Sequence, residues 1–128
     1  MTFNSKTKTL LVIASIMMAI SVLLGAFGAH ILKTFISEEL LGVYETGVKY
    51  QFYNTLGLFA VAFILHNKQE SKLLFISGIL IFFGTLLFSI SLYLLVILKV
   101  SWFGMITPIG GVLLVLAWFL TAYAIIKN

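Results

Sequence analysis

Long apolar runs broken by short polar stretches organise this chain. Leu10 to Leu32 and Leu73 to Leu98 are almost uninterrupted, and a further run extends from about Trp102 or Pro108 to Ile126. A transmembrane helix needs about 20 apolar residues, at 1.5 Å rise each, to cross about 30 Å of hydrocarbon. All three runs meet that length. The clean stretch from Phe52 to Leu65 falls short and fits an interfacial segment as well as a span. Extending it back to Thr46 reaches the length and draws in Lys49, Gln51 and Asn54. The predicted spans are therefore about 10–32, 46–65, 73–98 and 106–126, in a single integral membrane domain.

The connection before the second span, TFISEELLGVYE, carries a helix start. Ser37 suits a cap, and Glu38 and Glu39 in the first turn complement the positive end of the helix dipole. An amphipathic extension is expected to run through Gly42 and Gly47 into the second span as one bent element. HNKQES, His66 to Ser71, reads as a polar turn between antiparallel neighbours. The predicted fold is all-α, an antiparallel four-helix transmembrane bundle with that extension before the second helix.

Composition agrees: 62% of residues are hydrophobic, 9% are charged, and the mean hydropathy is +1.17. Soluble chains carry about a quarter charged residues, so the bilayer is the solvent. With no cysteine, disulfides, thiolate metal sites and cysteine nucleophiles are excluded. The net charge of +4 comes from lysines scattered at the ends of apolar runs. A nucleic-acid surface would cluster them, so nucleic acid is not an expected partner and anionic lipid headgroups are.

Lysine placement also sets orientation. Lys6, Lys8, Lys68, Lys72 and Lys127 fall on one side of a four-span arrangement, and Lys33, Lys49 and Lys99 on the other. The excess predicts both termini in the cytoplasm. A rival reading of the N-terminal region is a signal peptide cut near Ala26-Phe27-Gly28. The spanning length of the first run, and the absence of mature-domain character after that point, favour a helix.

The second span holds the candidate chemistry. Tyr44, Gly47, Gln51, Asn54 and Thr55 share one helical face, and Glu45 precedes Lys49 by four residues in the orientation that favours an ion pair. His30, closing GAFGAH at the end of the first span, lies at a similar depth. An outer-leaflet cluster of His30, Tyr44, Glu45, Lys49, Gln51 and Asn54 follows. It reads either as interhelical hydrogen bonding with a snorkelling lysine, or as a site for a proton, ion or polar headgroup.

His30 and His66 are expected at opposite membrane faces, so they share no metal, and neither a cofactor nor a catalytic constellation is predicted. Gly25, Gly28 and Ala29, the Ser77, Gly84, Thr85, Ser89, Ser91 series, and Gly104, Gly110 and Gly111 suit close helix packing or a path lined by backbone. In MITPIGG, Thr107 is placed as helix cap with Pro108 at the first helical position. Tyr50, Tyr93, Trp102 and Tyr123 are expected in the interfacial aromatic belt.

GAFGAH at 25–30, YETGVKYQ at 44–51, LFSISLYLL at 87–95 and ITPIGG at 106–111 together resemble the bacterial domain-of-unknown-function family 423, related to eukaryotic transmembrane-protein-256-like proteins. The resemblance spans nearly the whole chain. It implies a small multi-span protein of the bacterial plasma membrane and transfers no activity. The matching motif residues are Gly25, Gly28, His30, Glu45, Tyr50, Gln51, Pro108, Gly110 and Gly111. Where the family pattern follows YQ with a histidine three residues on, this chain has Asn54, which removes a titratable group and keeps a hydrogen-bonding one. The expected role is a non-enzymatic accessory or structural protein that binds lipid, a second copy or a membrane-protein partner. The alternative is a small oligomeric transporter or channel using the polar cluster.

Overall fold

A computed structural model describes residues 2–68 and 71–127. Gln69 and Glu70 of the expected polar turn lie outside the described residues. The first span is α1 (Ser5–His30), started by Asn4, whose Oδ1 accepts from the Thr7 amide at 2.9 Å. A single 3-10 turn, Leu32–Thr34, leads to α2 (Glu38–Asn67). Ser37 caps α2 by accepting from the Leu40 amide at 3.2 Å. The amphipathic extension and the second span are thus one continuous helix.

Ser71 caps α3 (Lys72–Thr85), with its Oγ accepting from the Leu74 amide. The third span then widens into one π-type turn at Leu86–Ile90 before continuing as α4 (Ser91–Leu98). It ends at Lys99, whose φ of 56° is left-handed. A 3-10 segment, Ser101–Met105, precedes α5 (Thr107–Lys127). Among the described residues, four helical spans are long and apolar enough to cross a membrane.

Burial inverts the soluble pattern. Leu23, Phe119 and Ile126 are among the most exposed side chains, as they must be when lipid is the solvent. The second span is the least apolar, with hydropathy 1.2 against 2.6 for the first, and also the most enclosed, at 44% against 22% buried. Polar residues cost several kcal/mol when unsatisfied in hydrocarbon, so the helix that carries most of them takes the centre. It packs against α1 on one side and the third span on the other, while α5 packs on the third span.

The core divides into two apolar clusters. One, toward the chain termini, includes Leu10, Ala14, Leu58, Leu65, Leu74, Ile81, Leu114 and Ala124; the other, toward the opposite end, includes Leu32, Tyr44, Val48, Tyr93 and Val96. Between them lies a polar layer of Gln51, Asn54, Thr55, Thr85, Ser89 and Ser91, all buried.

Candidate functional site

The polar layer depends on small residues that let helices approach. Gly47 of α2 faces the third span, where an added Cβ would lie 2.8 Å from the Tyr93 ring and 3.3 Å from the Ser89 carbonyl oxygen. At that crossing the Ser89 hydroxyl, carried on the π-type turn, donates to the Gly47 carbonyl at 2.7 Å. The extra residue of a π-type turn shifts the side chains that follow it around the helix. Gly28 of α1 makes similar room for the Tyr44 ring, whose hydroxyl donates to the Leu24 carbonyl.

From there the bonds run across the bundle. Tyr93 donates its hydroxyl to Gln51 Oε1 at 2.7 Å, and Gln51 Nε2 donates to the Met17 carbonyl at 3.3 Å. The Tyr44 and Tyr93 rings lie 5.3 Å apart, tilted by 47°. One turn further along α2, Asn54 accepts from the Trp118 indole N–H at 2.9 Å and donates to the Tyr50 carbonyl at 2.8 Å. The Ser91 and Thr107 hydroxyls share a 2.6 Å bond between the third span and α5. Side chains of α2 therefore reach α1, the third span and α5 within two turns.

The six residues of the expected cluster separate into two groups. Tyr44, Gln51 and Asn54 point inward and are hydrogen-bonded. His30, Glu45 and Lys49 are exposed, and among the described residues none of them makes a hydrogen bond or ion pair. The expected Glu45–Lys49 pair is not formed. At 100° per residue, positions 45 and 49 lie well away from the buried 44, 51 and 55 face. Depth along the axis brings them level with the network; azimuth points them away from it.

Two other expectations change. Tyr93 is 7% exposed and belongs to the interior, not to the interfacial belt; Tyr50, Trp102 and Tyr123 are exposed. Thr107 is the first helical residue of α5, and its hydroxyl meets Ser91 across the bundle. Ile106 holds the turn before it, with its carbonyl accepting from the amides of Ile109 and Gly110. Pro108, with no amide to leave unpaired, sits in the first turn.

The glycines also differ from one another. Gly110 presses on the backbone of the π-type turn, where an added Cβ would lie 2.8 Å from Phe88 Cα and 2.9 Å from the Gly84 carbonyl oxygen. Gly25 and Gly111 meet only ordinary contacts, beginning at 3.6 Å and 3.7 Å. Trp118 was absent from the sequence-based site, although it bridges α2 and α5 by its bond to Asn54 and by lying over Gly57.

Lateral grooves open among the described residues where an outer helix leaves the central pair. One, of about 900 Å3, runs between α2 and α5 past Tyr50, Tyr53, Asn54, Val115 and Trp118. A smaller one, of about 350 Å3, lies between α1 and the third span with Gln51, Ser89 and Tyr93 at its floor. Among the described residues, no three His, Asp or Glu side chains gather around one point.

A family model described as "Protein of unknown function (DUF423)" matches residues 24–111. The chain belongs to this family. It is 40% identical over 120 residues to the UPF0382 membrane protein YwdK of Bacillus subtilis, covering 94% of this chain and 98% of that one. A UPF0382 membrane protein of Staphylococcus epidermidis is 36% identical, covering 94% and 97%. The UPF0382 inner membrane protein YgdD of Escherichia coli is 33% identical, covering 94% and 92%. No solved structure matches the chain. The DUF423 match begins at Leu24, which accepts the Tyr44 hydroxyl, and ends at Gly111, so it takes in the α2 hub and the π-type turn.

Proposed function

We propose that this DUF423 protein is a non-enzymatic accessory protein of the bacterial cell membrane, with both termini cytoplasmic, which acts through its lipid-facing surface by binding lipid or a membrane partner. One observation carries the reading: the side chains of Tyr44, Gln51, Asn54, Ser89, Tyr93 and Trp118 hydrogen-bond to one another or to backbone inside the bundle. Polar groups satisfied in this way act as glue between helices. A permeation path needs them turned toward water. His30, Glu45 and Lys49, exposed at one end, are then the groups available to headgroups or to a neighbouring protein.

In the second reading, a small transporter or channel, copies of the chain gather these three side chains around a shared vestibule; their lack of partners among the described residues favours it. Proteoliposome flux separates the two. The accessory role predicts no flux across a panel of ions and small solutes, together with loss of assembly or bound lipid in the His30→Ala, Glu45→Gln double variant. Flux that Glu45→Gln abolishes would replace it with the transporter.

A further inference from the structure

The groove between α2 and α5 has two unlike ends. Along α5 it runs from Pro108 to Ala122, about 21 Å at 1.5 Å per residue, between apolar side chains. That exceeds half of a hydrocarbon core about 30 Å thick, so the groove can take the length of one leaflet's acyl chain. Toward its Pro108 end stands Tyr50, against the Phe88 ring, with Tyr53 one turn further in; they are 44% and 59% exposed, and their hydroxyls make no hydrogen bond among the described residues. Lys49 is exposed one turn nearer that end, four residues before Tyr53 and so on a neighbouring strip of the α2 surface. A flexible four-carbon stem lets its ammonium reach the headgroup level while its methylenes stay against the helix.

Polar donors at one end and a lipid-open apolar trough at the other match an amphipathic molecule with a negatively charged head. The residues that line the groove carry no charge, so Lys49, beside its Pro108 end, is a cation that a headgroup there would meet, while Trp118 reaches across to Asn54 and Gly57.

We propose that the α2–α5 groove is a site for one anionic phospholipid of the surrounding leaflet. An acyl chain lies along α5 toward Ala122, the Tyr50 and Tyr53 hydroxyls donate to the ester and phosphate oxygens, and Lys49 neutralises the headgroup. The assignment rests on the accessory reading above and gives it a ligand class and a place.

Trp118 lines the groove and reports on it. In a Trp102→Phe background, its fluorescence is measured in vesicles of phosphatidylcholine in which a minor fraction of either phosphatidylglycerol or phosphatidylcholine carries brominated acyl chains. Bromine quenches an indole in contact with it. One lysine near an anionic headgroup gives about a fivefold preference, so brominated phosphatidylglycerol should quench about fivefold more strongly per molecule. Lys49→Gln, a change at an exposed position, should erase that preference while leaving quenching by both lipids. Val115→Phe, which fills the trough from an exposed position, should weaken both.

Equal quenching by the two lipids in the wild type would overturn the site, as would a preference that survives Lys49→Gln. So would Trp118 shielded from both lipids in a chain that native mass spectrometry finds dimeric, because a second copy would then cover the groove. These outcomes leave the flux measurement untouched, so a failed lipid site and a failed accessory role are separately visible.

Discussion

The crossing of α5 over the third span should be the least forgiving contact in the bundle, and Gly110→Ala tests it. The added methyl would sit 2.8 Å from Phe88 Cα and 2.9 Å from the Gly84 carbonyl oxygen, both backbone atoms that no rotamer change can move. Ordinary contact begins near 3.4 Å, so α5 must shift outward by roughly half an ångström or more. Overpacking of this kind costs about 1–3 kcal/mol. Displacement would also stretch the 2.6 Å Ser91–Thr107 bond, and such intramembrane bonds average about 0.6 kcal/mol.

Against these stands the gain of about 1 kcal/mol from replacing glycine by alanine within a helix. The net prediction is a loss of about 0.5–2.5 kcal/mol. Gly111→Ala is the control, since its methyl meets only the Phe88 ring at 3.7 Å and should keep most of the alanine gain. Reversible unfolding of both variants in mixed micelles, followed by circular dichroism, reads the difference. Equal stability of the two would refute the close crossing.

Three further outcomes follow from single contacts. Trp118→Phe leaves the Asn54 amide oxygen without its donor, so unfolding free energy in mixed micelles should fall by about 1–3 kcal/mol. Lys99 holds a left-handed φ of 56° at the end of α4, and Lys99→Gly should raise stability by up to about 1 kcal/mol while Lys99→Val lowers it, read by the same titration. His30→Ala and Glu45→Gln remove exposed groups without partners among the described residues. Each should leave monomer stability within about 0.5 kcal/mol, so a large loss in the same assay would place them inside the bundle.

Much of the architecture is legible in hydrophobic run length, because span length is set by bilayer thickness alone. Even the short second run gives its answer once Gln51 and Asn54 are allowed inside, since helical periodicity puts them with Tyr44, Gly47 and Thr55 on one face. The division of the expected cluster had a signal as well: Glu45 and Lys49 fall outside that same face, and equal depth says nothing about azimuth. His30 carries no such signal, because the wheel of α1 lacks a polar face to orient it.

The partners of α2 are a different matter. Tyr93 and Trp118 lie 42 and 64 residues from the side chains they bond, and no local pattern pairs residues at such separations. An aromatic near a run end reads as a belt residue until packing shows which way it points. The π-type turn is also silent in sequence: LLFSI is ordinary helix composition, and the turn is visible only in the register it gives Ser89 against Gly47.

The claim that the buried polar side chains bind the helices together is tested most directly by a double-mutant cycle on Gln51 and Tyr93. Unfolding free energies are measured in lipid for the wild type, Gln51→Met, Tyr93→Phe and the pair. Their 2.7 Å bond predicts that each single change destabilises and that the pair costs less than the sum of the two by about 0.5–1.5 kcal/mol. Additive effects, or single variants as stable as the wild type, would contradict the claim and leave these side chains free to line a path or hold a ligand.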